Sequence, residues 1–290
     1  MEKLNSLSER NKGILFIILS AFGFAMMSAF IKLSGDLPSV QKTFFRNLVS
    51  CIIAFILVLK YKESAFGSRE NRPILILRSI FGTLGIVLNF YAIDKLVLSD
   101  ANMLNKLSPF FVIIFSALFL KEKIKINQVG AVIVAFIGAL FIIKPTLNFE
   151  IVPYLSGILG AIFAAAAYTC LRVLGGKEKF YTVVFFFSFF SIVVISPFVI
   201  MVYKSMSMLQ LLYLILAGAF ASIGQFGVTL AYKYAPAKEI SIFDYSNIIF
   251  SAIISIVVFN VIPDKFSFIG YIIIFLASYY MFLYNKKAKN

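Results

Sequence analysis

Two stretches, Asp100–Leu120 (DANMLNKLSPFFVIIFSALFL) and Glu239–Phe259 (EISIFDYSNIIFSAIISIVVF), decide the fold. Each opens on an acidic residue and a few polar positions, then runs on in almost unbroken apolar sequence. At an offset of 139 positions Asp100 meets Glu239, Asn102 meets Ser241, Asn105 meets Asp244 and Ser108 meets Asn247. Beyond them Phe111 meets Phe250, Ile114 meets Ile253 and Ser116 meets Ser255. Few residues are identical, but the order of polar and apolar positions is kept. Apolar runs this long are helices in lipid, because hydrocarbon offers an open backbone no partner and barrel strands are about half the length.

Outward from this pair, hydrophobic runs bounded by charged or Pro/Gly/Asn clusters predict ten spans. They lie at about 12–33, 39–60, 73–92, 99–120, 125–143, 151–173, 180–203, 209–232, 239–261 and 265–284. Composition agrees: 61% of residues are hydrophobic, 14% are charged and the mean hydropathy is +0.96. A soluble domain has about 45–50% apolar and about 25% charged residues. Ten spans in 290 residues leave about 29 each, enough to cross about 30 Å of hydrocarbon and turn. The fourth and ninth spans are five apart, so the chain reads as two five-helix repeats, 12–143 and 151–284. Five is odd, so the second copy lies upside-down relative to the first. The expected fold is therefore an all-α integral membrane protein of ten transmembrane helices in two inverted repeats, with a substrate site near the midplane.

The formal net charge of +14 does not indicate a nucleic-acid partner. The basic residues stand in short clusters between apolar runs, such as Lys121, Lys123 and Lys125, a pattern that reports membrane orientation. With the N-terminus inside, nineteen of the 27 Lys and Arg residues fall in cytoplasmic segments, Arg78 among them. Five fall in outer loops (Lys42, Lys95, Lys144, Lys204, Lys265), and Lys32, Arg46 and Lys106 lie within spans. This predicts a multi-pass protein of the cell membrane with both termini cytoplasmic. No cleavable signal peptide is expected before the first span, whose apolar run is too long for a signal core. Histidine is absent, which excludes imidazole metal sites, Ser–His triads and histidine proton relays. Cys51 and Cys170 stand inside apolar runs without CxxC spacing, so neither a disulfide framework nor a zinc site is expected. No cofactor, metal or enzymatic constellation is indicated.

Several motifs resemble the EamA-type branch of the drug/metabolite transporter superfamily, over about residues 12–284. They are Phe44-Phe45-Arg46, Arg78, Asn89-Phe90-Tyr91-Ala92 and the run from Ser108-Pro109 to Phe119-Leu120-Lys121-Glu122. In the second half they are Ala231-Tyr232, Tyr234-Ala235-Pro236-Ala237, Tyr245 and Phe259-Asn260-Val261-Ile262-Pro263. The chain departs from the family pattern at Ile248, often proline, and at Val261, often acidic. The first half is somewhat like the branch with S-adenosylmethionine uptake carriers, though its motifs name no substrate. The resemblance implies a central cavity lined by spans 1, 3, 4, 6, 8 and 9, with spans 5 and 10 peripheral.

Independently, polar residues recur at helical spacing. Asn102, Asn105, Lys106 and Pro109 share one face of the fourth span, and Ser241, Asp244 and Tyr245 repeat this in the ninth. The third span carries Arg78, Gly82, Gly85 and Asn89, and the eighth Gly218, Ser222, Gln225 and Thr229. Each unpaired polar group facing lipid would cost several kcal/mol, so these faces turn inward. Counted from Asp100 and Glu239, Lys106 and Asp244 lie about 8–9 Å deep from opposite sides, hence about 12 Å apart along the membrane normal. That is too far for a direct ion pair, so they are expected to bracket the substrate site. Their alternatives are snorkelling for Lys106 and a helix-start carboxylate for Asp244. The substrate-binding or gating candidates are Asn89, Asn102, Asn105, Lys106, Tyr168, Gln225, Asp244, Tyr245, Arg46 and Lys32; Asn89 and Gln225 could equally be interhelical hydrogen-bond glue. Pro109 can break its helix by removing an amide donor.

These features predict a secondary transporter that moves a small polar organic metabolite, such as an amino acid or nucleoside, by alternating access. Protons are a candidate coupling ion, with Asp244 as the carboxylate that would carry them. A channel or a non-transporting membrane scaffold is the alternative, although no ring of like charges or repeated filter motif is visible.

Overall fold

The computed structural model describes residues 8–121, 126–144, 151–174, 177–234 and 241–287; Lys3, Glu122, Lys123, Lys125, Ala235, Pro236, Ala237, Lys238, Glu239 and Lys289, counted above for spans, motifs and charge, fall outside them. The first half holds α1 (Glu9–Leu33), α2 (Ser39–Tyr61), α3 (Arg72–Lys95), α4 (Leu98–Asn105), α5 (Ser108–Leu120) and α6 (Ile126–Ile143). The second holds α7 (Val152–Leu174), α8 (Phe180–Val202), α9 (Met208–Tyr234), a 3-10 turn (Ser241–Tyr245), α10 (Ser246–Val257) and α11 (Lys265–Lys287). With α4 and α5 taken as one broken span, nine described helices are long and apolar enough to cross a membrane, and the shorter apolar helix Phe243–Val257 is the tenth span.

Local chemistry explains the boundaries. The Ser8 hydroxyl caps α1 by accepting from the Asn11 amide at 3.3 Å. Gly35, at φ +70°, turns the chain after α1. Pro73 sits in the first turn of α3, where its missing amide costs nothing. The fourth span breaks because Pro109 cannot donate to the Asn105 carbonyl, so the chain tightens into short turns. Lys106 donates to the Met103 carbonyl at 3.0 Å and Leu107 to the Leu104 carbonyl at 3.1 Å.

The packing obeys the inverted repeat. Helix α1 lies along α9, and α3 along α7 in the equivalent relation; α2 pairs with α8, and α6 with α11. Exchanging each span for the one five further on converts α1–α9 into α7–α3 and leaves α2–α8 and α6–α11 in place. A two-fold axis in the membrane plane requires this. Two close approaches are counterparts as well. A Cβ on Gly23 would stand 2.8 Å from the Gly224 amide, and one on Gly85 3.2 Å from the Gly160 carbonyl. Gly85 and Gly224 are separated by the same offset of 139 found in the sequence. Small residues let these backbones touch where lipid supplies no hydrophobic drive. Large side chains such as Ile200, Met201 and Phe119 form the outward apolar surface.

Candidate functional site

The break in the fourth span meets the 3-10 turn that opens the ninth. The Lys106 ammonium pairs with the Asp244 carboxylate at 2.5 Å, and the Tyr245 hydroxyl donates to the Lys106 carbonyl at 3.3 Å while also contacting Ser278. At the repeat offset Asn105 corresponds to Asp244 and Lys106 to Tyr245. Counterpart positions thus touch each other, so the contact sits on the pseudo-two-fold axis. The sequence-based expectation that Lys106 and Asp244 stand too far apart to pair is wrong. Its depth scale began at Asp100, which is not at an interface. Asp100 is 3% exposed, and its carboxylate accepts from the Tyr271 hydroxyl, whose oxygen also lies 2.9 Å from the Ser99 hydroxyl. Helix α4 begins at Leu98, so Lys106 lies about 12 Å down the axis, and its stem adds roughly a further 6 Å of reach. Snorkelling is not what this lysine does here.

Around the ion pair, Asn105 donates to the Asn89 side chain at 3.4 Å. Asn102 accepts from Ser28 at 3.1 Å and donates to Ser251 at 2.7 Å, tying α1, α4 and α10 together. Gln225 is half-buried on α9. Tyr168 on α7 is about half exposed. Asp244, Arg46 and Arg78 all lie within electrostatic reach of it. Of the ten sequence candidates, the fold gathers Lys106, Asp244, Tyr245, Asn105 and Asn89 at the breaks, with Tyr168 and Arg46 bordering them. Asn102 serves a helix junction, and Lys32 stands elsewhere.

Lys32 belongs to a polar clasp at the face opposite the N-terminus. Its ammonium donates to the Ile93 carbonyl at 3.0 Å and to the Leu96 carbonyl, capping α3. Lys42, fully buried, pairs with Asp94 at 2.5 Å and donates to the Ile31 carbonyl at 3.1 Å. Gln210 of α9 donates to the Ser34 carbonyl at 2.9 Å, and Lys204 meets Asp36 at 2.9 Å. The Lys204 ammonium holds the Asp36 carboxyl below the usual carboxylate range. Two shallow cavities of roughly 240 and 380 Å³ open beside the clasp, both bordered by Lys32 and Lys95.

The charge count by segment misplaced two residues. Lys42, taken as an outer-loop lysine, stands inside α2; Arg78, taken as cytoplasmic, stands inside α3 at 5% exposure. Arg46 is no nearer the surface, at 2%. Proximity to a span end does not place a side chain in water when a neighbouring helix covers it. Sequence reasoning also missed Asp94 altogether. The available signal was Lys42 and Arg46 at i, i+4, one cationic face of a helix that lipid would not tolerate. Among the described residues, no group of three or more acidic or cysteine side chains could hold a metal.

Comparison with known proteins agrees with this architecture. The profile of the EamA-like transporter family matches residues 11–144 and again 152–283. The chain is 32% identical over 268 residues to the pseudopaline exporter CntI of Pseudomonas aeruginosa, covering 91% of this chain and 94% of that protein. It is 25% identical over 283 residues to the S-adenosylmethionine uptake transporter of Rickettsia prowazekii, covering 95% and 94%. Human solute carrier family 35 member G1 is 26% identical over 268 residues, covering 87% of this chain and 73% of its own. A solved crystal structure at 14% identity shares the fold, with a TM-score of 0.70 over 97% of this chain and 99% of that one. Two five-span halves that meet at their helix breaks, each matched by the same profile, make this chain a member of the EamA-like transporter family, a multi-pass membrane transporter of small metabolites.

Proposed function

We propose that this protein is a secondary transporter that carries a small polar organic metabolite across the cell membrane by alternating access. The observation that carries this reading is the Lys106–Asp244 pair, in which a cation from one broken span meets an anion from its inverted counterpart. A site on the axis that relates the two halves is equally placed for access from either face. The five-span halves 12–143 and 151–284 are the units that rock, and the N-terminal face is cytoplasmic. The clasp of Lys32, Lys42, Asp94, Gln210 and Lys204 closes the outer face, while Tyr168, two turns from the inner end of α7, lines the way in from the cytoplasm. Substrate or a proton entering this space competes for the partners of the ion pair, and protonation of Asp244 would release Lys106.

Counterflow in proteoliposomes tests the reading. Saturable uptake that is stimulated by solute on the far side is expected; unsaturable flux would identify a channel, and none a scaffold. Asp244→Asn should abolish proton-driven accumulation while sparing exchange, and unchanged accumulation rejects Asp244 as the coupling group. Single cysteines replacing Lys121 and Lys177 should react with an impermeant reagent from the cytoplasmic side.

A further inference from the structure

Between α2, α3, α7 and α8 lie two arginines that no acid among the described residues answers. Arg46 on α2 is 2% exposed and Arg78 on α3 is 5% exposed. The Nε of Arg46, and both the Nε and Nη1 of Arg78, are buried without an acceptor. Among the described residues Arg46 donates from Nη1 to the side chain of its neighbour Asn47, which in turn donates to Ser191 of α8 at 2.7 Å. Arg78 lays its guanidinium over the Phe187 ring, 3.9 Å from the centroid. The two guanidiniums act on each other, and the other titratable side chains among the described residues that act on them are Tyr168 and Cys170. No carboxylate among the described residues serves as counter-ion.

Buried cations are ordinarily paired, because taking a charge from water without a partner is costly. Here two like charges share one low-dielectric space, and three of their donors lack a partner. The hydroxyl of Ser188 on α8, one turn from Ser191, is a further buried donor without an acceptor. Packing alone explains none of this: an apolar pair would fill the space without orphaned donors. Planar guanidiniums present forked N–H groups that match the two oxygens of a carboxylate or the edge of a phosphate. Tyr168, about half exposed, is in electrostatic reach of both arginines and of Asp244 and so links them to the Lys106–Asp244 pair.

We infer that Arg46 and Arg78 form a binding site for an oxyanion group, the carboxylate or phosphate of the carried metabolite, with Tyr168 at its mouth. That the oxyanion belongs to a carried solute rests on the transport reading above; that the arginines bind one does not.

The test uses the full-length purified protein in detergent, with thermal unfolding followed against sodium acetate or sodium phosphate and sodium chloride at equal ionic strength. The oxyanions should raise the midpoint saturably. Arg46→Gln and Arg78→Gln should abolish the rise, and the exposed control Lys265→Gln should leave it intact. Arg46→Lys and Arg78→Lys keep the charge but lose the fork, and should weaken the apparent affinity about tenfold. They decide the matter if the glutamine variants fail to fold. No saturable rise in the wild type, or a rise unchanged in both lysine variants, overturns the site. Repeating the titration in nanodiscs of anionic and of zwitterionic lipid separates the sources. A response lost only in anionic lipid assigns the arginines to a lipid headgroup and overturns the assignment to a solute. Counterflow reads the carrier function separately: saturable binding without flux leaves the site standing and removes the transporter. Flux that carboxylates and phosphates fail to inhibit leaves the transporter and removes the arginines from its substrate site.

Discussion

Replacing Lys106 and Asp244 by alanine, singly and together, isolates the contact that joins the two halves. The charged atoms are 2.5 Å apart, and the side chains are 12% and 29% exposed. Exposed ion pairs contribute about 0.2–1 kcal/mol, whereas removing one partner of a fully buried pair costs about 3–5 kcal/mol, since the other charge is stranded. With both groups nearer the buried limit, each single variant should lose about 2–3 kcal/mol. The double variant strands no charge and should lose clearly less than the sum, giving a coupling energy of about 1.5–2.5 kcal/mol, or roughly 10–70-fold in an equilibrium constant. Unfolding by sodium dodecyl sulfate in mixed micelles measures all four proteins under one condition. A coupling energy below about 0.5 kcal/mol would refute the reasoning, because independent sites add to within that margin. Lys95→Ala is the control, since Lys95 is exposed at the end of α3.

In the polar clasp, Lys42→Met strands Asp94 and should destabilise the protein by about 3–5 kcal/mol, with most of the loss recovered in Lys42→Met/Asp94→Leu; the same micelle titration reads both. Gly23→Ala would place a Cβ 2.8 Å from the Gly224 amide, forcing α1 off α9. It should cost about 1–3 kcal/mol, and a wild-type midpoint would show that the contact is looser than described. Glu178, in the loop before α8, gives a pH-dependent outcome. Burial pushes its carboxyl up, but hydrogen bonds from Asn71 at 2.7 Å and the Ser68 amide at 2.9 Å outweigh this and hold it below the usual range. A lowered value means stability that is present above the unfolded carboxylate value, about 4.3, and is lost as pH falls through the folded one. Glu178→Gln should therefore flatten the acid side of the midpoint-against-pH curve, and an unchanged slope there rejects the assignment.

The ten spans were legible in one dimension because lipid leaves an apolar run of about 20 residues almost no alternative to a helix. The inverted repeat was legible too, since Asn105 and Asp244 hold the same place in stretches of matched pattern. Pro109 marked the break in the fourth span, because a missing amide acts locally. What a charged residue near a span end meets is not local. Lys42 finds Asp94 52 residues away and Lys106 finds Asp244 138 residues away. Counting from helix starts placed Asp100 at an interface and Arg78 in the cytoplasm, although neighbouring helices cover both. Residue order alone determined the membrane fold and its two-fold plan, for each follows from hydropathy and chain length. Only tertiary packing decided which polar side chains are paired across the axis and which, like Arg46 and Arg78, find no counter-charge among the described residues. Burial and pairing are properties of the space between helices, and no stretch of a single helix encodes that space.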